Sequence, residues 1–396
     1  MRTRFTNGQV IGAPGDLVIE DGVILADNGA RGGEAVVDLE GGYLLPGFID
    51  VQVNGGGGAL FNADPSVETI ARIGAAHRAF GVTSFLPTLI SDDLEKVAAA
   101  IAAVESAIAS SVPGVIGIHL EGPFLSPAKK GTHDARWFRR LDEAALHLLS
   151  SLKGGLTLVT LAPETCDLED IQRLTQAGVV VSAGHTDASY DRMVQAFDAG
   201  VTGVTHLFNA MSPFNHREPG VVGATLENQT AFAGIIVDGR HVSPAALRIA
   251  LAARPKDRFM LVTDAMPTVG AATKTFDLGG KTIRVENGVC VDDDGVLSGS
   301  DLDMATAVRN AVEMLGLDVA QAATMAAAAP AAFLGLTDRG TLTPGARADL
   351  VWLDARLRPR GVWSDGLRMP DGDLTPAPRP APSPTTPILM NAGNFK

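Results

Sequence analysis

Eight short apolar runs recur along the chain, and helix-patterned segments separate most of them. The runs are GFIDVQV (47–53), GVTSFLPT (81–88), GVIGIHL (114–120), LTLVTLAP (156–163), GVVVSAGH (178–185), GVTGVTH (200–206), FAGIIVD (232–238) and RFMLVTD (258–264). Between them, VETIARIGAAHRAF (67–80), LEKVAAAIAAVESAIA (94–109), LEDIQRLTQAG (168–178) and SPAALRIALAARP (243–255) repeat apolar residues at helical spacing. Strands that are apolar throughout suit a parallel sheet buried on both faces. Eight of them with crossover helices predict an α/β fold, a TIM-type (β/α)8 barrel. A doubly wound sheet is the alternative, but no G-x-G-x-x-G follows the first strand.

The two ends have a different texture. GDLVIEDGVILADNG and AVVDLEGGYLLPG set Val and Ile between Asp-Gly and Asn-Gly turns, and GARADLVWLDA (345–355) has the same character. Both ends are therefore expected to build one small β-sandwich domain. The organisation expected is residues 1–45 and 336–370 for that domain and 46–335 for the barrel. Within the barrel, KTIRVENGVCVDDDG (281–295) reads as a β-hairpin around Asn-Gly, part of an insertion near 275–296. Two later helices are DLDMATAVRNAVEMLG and DVAQAATMAAAAPAAFLG. From Asp371 the composition turns to TPAPRPAPSPTTP, a proline-rich tail expected to be extended.

Composition narrows the partners. Of 396 residues, 46% are hydrophobic and 19% charged, as in ordinary globular proteins, and the net charge is −13. That charge disfavours nucleic acid or an anionic membrane, yet leaves room for a local basic pocket around a small anion. No apolar stretch follows the arginines of MRTRFTNGQVIG, so no signal peptide is expected. No apolar run is long enough for a membrane span. Cys166 and Cys290 form no C-x-x-C pattern, which favours a cytoplasmic protein with ordinary thiols.

Active sites of such barrels lie at the C-terminal ends of the strands, and there the polar residues gather. In order they are Gln52 and Asn54, then His119 and Glu121, His185 and Asp187, His206 and Asn209, Asp238 with Arg240 and His241, and Asp264. Gln52 and Asn54 share one face of their strand. Two histidines at that spacing would mark a metal site, so either the metal is lost or other residues hold it. Glu121, His185 and His206 fit a zinc set with a position left open for water, which zinc activates at neutral pH. Asp264 is then the candidate general base, and afterwards the general acid. His119 lies on the same face as Glu121 and reads equally as a ligand or as a buried strand histidine. His77 and His147 read as surface or satisfied histidines, and His216 beside Arg217 stays open. Asp187 and Asp238 read equally as caps. The GGGG at 55–58 lacks the Lys-Ser/Thr of a phosphate loop and reads as a turn.

HLEGPF (119–124), KKGTH (129–133), GHT, HLFNAM, DGRH, VTDA and LSGS, in this order, resemble the N-acetylglucosamine-6-phosphate deacetylases of the amidohydrolase superfamily. The likeness runs from PGFID at 46 to ADLV near 350. It implies one divalent metal per subunit, zinc above all, on Glu121, His185 and His206, with His133 polarising the acetamide carbonyl. It also implies that Asn209, the Ala210 backbone, Arg217 and His241 hold the sugar phosphate, and that Thr132 and the Leu297–Ser298–Gly299 turn line the pocket. A homodimer is expected, with Arg217 reaching the neighbouring subunit's site. Amidohydrolases often carry H-x-H on strand one and a second metal. Here Gln52 and Asn54 stand instead, as in one branch of the deacetylases, and are expected to hold a water in that space. The activity implied is hydrolysis of N-acetylglucosamine 6-phosphate to glucosamine 6-phosphate and acetate. The alternatives are N-acetylgalactosamine 6-phosphate, another amide, or a catalytically inactive binding scaffold.

Overall fold

The computed structural model describes residues 2–26, 29–286 and 288–370. Eight parallel strands form one sheet: β1 (Phe48–Val53), β2 (Val82–Ile90), β3 (Gly117–Glu121), β4 (Leu156–Leu161), β5 (Val180–Ala183), β6 (Gly203–Val204), β7 (Phe232–Ile235) and β8 (Phe259–Leu261). Each pairs with the next in chain order. One helix follows each strand: α1 (Val67–Arg78), α2 (Leu94–Ala109), α3 (Glu143–Leu149), α4 (Leu168–Gln176), α5 (Tyr190–Asp198), α6 (Gly220–Glu227), α7 (Pro244–Ala253) and α8 (Met304–Leu315). This is the expected (β/α)8 barrel. Every residue of β1 and β2 is buried, as continuous apolar strands require. Helix starts follow local chemistry: the Ser66 hydroxyl accepts the Thr69 N–H, and the Asp93 carboxylate accepts the Lys96 N–H at 2.7 Å. Pro87 lies inside β2, and the register with β1 shifts between Phe85 and Pro87, where the missing N–H interrupts the ladder.

Two expected elements differ in extent or kind. The sixth strand is only Gly203–Val204, because the chain leaves the ladder at Thr205 and His206, the latter at φ +33°. The LSGS segment is not a turn. Leu297–Ser300 is a strand, paired antiparallel with Val289–Val291 in a four-stranded sheet that also holds Thr275–Leu278 and Lys281–Glu286. The segment joins that ladder with a register shift, and its Gly299 sits at φ +68°. Asn287 of the Asn-Gly turn and the proline-rich tail from Asp371 lie outside the described residues. The GGGG stretch is a small hairpin, Gly55–Gly56 against Ala59–Leu60, with Gly57 and Gly58 at φ +60° and +81°.

The chain ends do share a sheet: Tyr43–Pro46 runs antiparallel to Leu350–Leu353, with Leu44 opposite Trp352. A second sheet centres on Arg2–Thr6. Phe5, Leu17 and Ile19 from that sheet pack with Leu44, Leu350, Trp352 and Trp363 from the first in one buried cluster. No helix among the described residues is long and apolar enough to cross a membrane.

Between β8 and β1 there is no strand ladder among the described residues. The Asn54 and Gly55 N–H groups reach the Ala265 carbonyl at 3.0 and 2.9 Å. Lower in the seam a side chain joins the two strands. The Asp50 carboxyl accepts the Thr263 hydroxyl at 2.5 Å and the backbone N–H groups of Gln52 at 3.2 Å and Thr263 at 3.4 Å. Burial without a cationic partner pushes Asp50 from 3.8 up to about 7. The native state therefore binds a proton between about pH 4 and 7 that the unfolded chain has released, and stability falls as pH rises through that window. Asp50→Asn should flatten the fall. Urea midpoints of the metal-free protein at pH 5 and pH 7 check this, and equal slopes in variant and parent would refute it.

Candidate active site

At the open end of the barrel three ligand atoms meet. Glu121 closes β3, His185 follows β5 and His206 follows β6, and all three side chains are buried. The Glu121 Oε1 lies 3.3 Å from His185 Nε2 and 3.1 Å from His206 Nε2, and the two Nε2 atoms are 3.1 Å apart. No other group of three histidine, cysteine or acidic side chains among the described residues converges in this way.

The donor set fits a divalent metal on its own chemistry. His185 Nδ1 meets the Lys129 carbonyl oxygen at 2.9 Å. A carbonyl only accepts, so Nδ1 carries the proton, and in the neutral ring Nε2 presents its lone pair to the centre. Burial pushes Glu121 up, but the two imidazoles hold it well below the usual carboxylate range. Burial pushes His206 down, and the Glu121 carboxylate outweighs that and raises it. The centre therefore favours positive charge. One carboxylate with two imidazoles is a zinc-type set that leaves a fourth position.

Asp264 stands beside this centre, half-buried and at φ +51°. Burial and the Glu121 charge push it from 3.8 up to about 6. The Asn54 amide donates to its Oδ1 at 2.7 Å and the Gln52 amide at 3.2 Å. The same Gln52 NH2 donates to both oxygens of Glu121 at 3.2 Å. Gln52 and Asn54, expected to hold a water, thus also bond the two carboxylates directly. A single NH2 bridges two carboxylates whose repulsion would otherwise raise both. The Asn54 Oδ1 is buried without a partner, an acceptor still free for a water.

His119 resolves as a structural residue. Its Nε2 meets the Thr160 hydroxyl at 2.7 Å and its Nδ1 the Thr88 hydroxyl at 3.3 Å. Both nitrogens are engaged below the centre, and burial pushes the ring down to about 4. His77 is buried rather than at the surface, its Nε2 on the Gly55 carbonyl at 2.9 Å, and His147 is exposed. His133 is buried with its ring 4.3 Å from that of His185, and burial and then His185 hold it well below the ordinary histidine range.

Around the centre, Thr132 and Ser298 touch through their hydroxyls at 3.1 Å, which brings the KKGTH loop to the LSGS strand. His241 follows β7 with its Nδ1 on Asp238 at 2.6 Å. Asp238 also accepts the Arg240 and His241 N–H groups, as a turn aspartate does. Asp187 pairs with Lys129 at 3.3 Å. Asn209 is half-buried and its amide donates to the His206 carbonyl at 3.1 Å. Ala210 stands at φ +48°. Arg217 and His216 are exposed, and the Arg217 guanidinium has no hydrogen-bond partner among the described residues. Sequence reasoning missed Lys129, whose carbonyl orients His185, and Ser91, which touches His133. It also passed over Asp50, although an aspartate inside an apolar strand was a visible signal.

The amidohydrolase family model matches residues 43–378. The N-acetylgalactosamine-6-phosphate deacetylase of Shewanella sp. (strain ANA-3) is 43% identical over 354 residues, 88% of this chain and 90% of that protein. The N-acetylglucosamine-6-phosphate deacetylase of Bos taurus is 40% identical over 348 residues, 83% of this chain and 84% of its own. Among solved structures, the N-acetylglucosamine-6-phosphate deacetylase of Pasteurella multocida superposes with a TM-score of 0.90 at 32% identity, over 93% of this chain and 100% of that one.

Proposed function

Because the chain belongs to the amidohydrolase family, within its branch of N-acetylated amino-sugar-phosphate deacetylases, we propose that it hydrolyses N-acetylglucosamine 6-phosphate to glucosamine 6-phosphate and acetate. The observation that carries this reading is the convergence of Glu121, His185 and His206 within 3.3 Å, with Asp264 joined to Glu121 through the Gln52 amide. A divalent metal, zinc in our reading, would be held by those three residues and would polarise the acetamide carbonyl and the attacking water. Asp264 takes the proton from the water and delivers it to the leaving amine. His133 donates a hydrogen bond to the carbonyl oxygen as negative charge develops there. Gln52 and Asn54 hold Asp264 in place, and the free Asn54 oxygen supports a water in the space of a second metal.

The sugar phosphate is assigned to Arg217, His241, Asn209 and the Ala210 backbone, with Thr132, Leu297, Ser298 and Gly299 lining the pocket. A chain of net charge −13 needs a local cation to hold such an anion, and Arg217 is exposed with its guanidinium uncommitted. We place the enzyme in the cytoplasm as a homodimer in which Arg217 serves the neighbouring site; two buried free thiols fit a reducing compartment. The second reading is the galacto epimer, favoured by the 43% identical relative. Acetate release from both 6-phosphates tests the proposal: turnover of neither would overturn it, and the ratio of kcat/KM assigns the epimer. Arg217→Ala should raise KM for the phosphorylated sugar far more than for N-acetylglucosamine itself. An equal effect on both would remove Arg217 from phosphate recognition.

A further inference from the structure

Ser91 follows the last residue of β2 and is 5% exposed. Its backbone N–H meets His133 Nδ1 at 3.3 Å, and its hydroxyl oxygen lies 2.8 Å from the same nitrogen. Among the described residues that N–H has no other acceptor. The hydroxyl also lies 3.4 Å from the Glu121 carbonyl, to which it can donate.

These contacts restrict where the imidazole proton can be. A backbone N–H only donates, so it needs a lone pair on Nδ1. With the proton on Nδ1, the ring could donate to the Ser91 hydroxyl. The Ser91 N–H would then face another N–H and stay buried without a partner. An imidazolium fails for the same reason, since it also carries a proton on Nδ1. Leaving a buried donor unmatched weights the balance by on the order of ten- to a hundredfold against both forms. The Nε2–H tautomer satisfies the Ser91 N–H and frees the hydroxyl to bond Nδ1 or the Glu121 carbonyl.

We propose that Ser91 is a positioning residue that fixes His133 in the Nε2–H tautomer, so that the ring turns a hydrogen-bond donor toward the acetamide carbonyl of the substrate. The inference rests on the reading of His133 as the group that meets that carbonyl. The chain gives Ser91 the room it needs. A Cβ built on Gly122, at φ +94°, would stand 2.3 Å from the Ser91 hydroxyl, so a side chain there would push the hydroxyl off His133.

The tautomer is measurable without turnover. In the full chain labelled with ¹⁵N-histidine, long-range ¹H–¹⁵N correlation spectra give the protonation of each ring nitrogen, and the His133 signals are those lost in His133→Gln. We expect an unprotonated Nδ1 and a protonated Nε2 at neutral pH. A proton on Nδ1, alone or with Nε2, would overturn the proposal even in a fully active enzyme. Turnover supplies the second arm. Ser91→Ala should lower kcat about three- to tenfold, the weight of one side-chain hydrogen bond, with KM and metal content unchanged, and Ser91→Thr should restore most of it. An unaltered kcat, or a loss confined to KM or metal content, would contradict a positioning role for the hydroxyl and leave the backbone N–H alone to fix the tautomer. Should the parent hydrolyse neither sugar phosphate, the proposed function falls, and the spectra still decide the tautomer.

Discussion

Asp264→Asn should keep the barrel, the metal and substrate binding, and lose about 10²–10⁴-fold in kcat. Asp264 is a carboxyl beside the Glu121–His185–His206 centre that makes no hydrogen bond to the two imidazoles. It is held instead by the Asn54 and Gln52 amides at 2.7 and 3.2 Å. The variant retains an oxygen to accept both bonds, and asparagine is among the residues that best tolerate the left-handed backbone seen here at φ +51°. What it cannot do is take a proton and return it. The parent should carry the signature of that proton. In the metal-free centre, burial and Glu121 push Asp264 up to about 6; a bound cation favours the carboxylate, and a base acts only when ionised, so the acid limb of kcat/KM should lie below pH 6. Residual activity of the variant should lack that limb. Near-normal kcat in a well-folded Asp264→Asn would remove the residue from the mechanism.

The barrel was legible because its strands are apolar on both faces and its helices keep their spacing; α2 covers the whole of LEKVAAAIAAVESAIA. The candidate ligands were legible because polar residues at the ends of apolar strands have few structural reasons to be there. What the sequence withheld was conformation and cross-strand contact. His185, His206 and Asp264 all sit at positive φ, at +47°, +33° and +51°. Nothing in residue type signals this, because the strain of such backbone is borne by the surrounding fold. Those conformations also explain why the sixth strand is shorter than its apolar run. Ser91 and His133 are 42 residues apart, and Asp50 and Thr263 213 apart. Such pairs exist only once the strands are in register, and propensity carries no information on register. His119 shows the opposite limit. Its place beside Glu121 on one strand face was readable, but the hydroxyls of Thr88 and Thr160 that engage both its nitrogens come from neighbouring strands.

Metal analysis of the purified protein should give one tightly bound divalent ion per chain, and His185→Ala or His206→Ala should abolish both the ion and the activity. The count follows from where the donors point. His185 is oriented by the Lys129 carbonyl, and all three ligand atoms lie within 3.3 Å of one another. On the other side of Glu121 stand Gln52 and Asn54, and the Gln52 NH2 group points its protons at the Glu121 oxygens. An N–H cannot ligate a metal, and an amide oxygen is a poor zinc donor beside imidazole and carboxylate. His119, the remaining imidazole nearby, has both nitrogens committed. Loss of one ligand from a three-residue set removes several kcal/mol of transition-state charge stabilisation, so activity should fall on the order of 10³-fold or more. Replacing Gln52 and Asn54 together by histidine should add a second, weaker site that turnover does not need. Two stoichiometric ions in the parent would show that Gln52, Asn54 or His119 ligates after all. No ion, with no activity restored by added zinc, would leave an amidohydrolase scaffold without its chemistry.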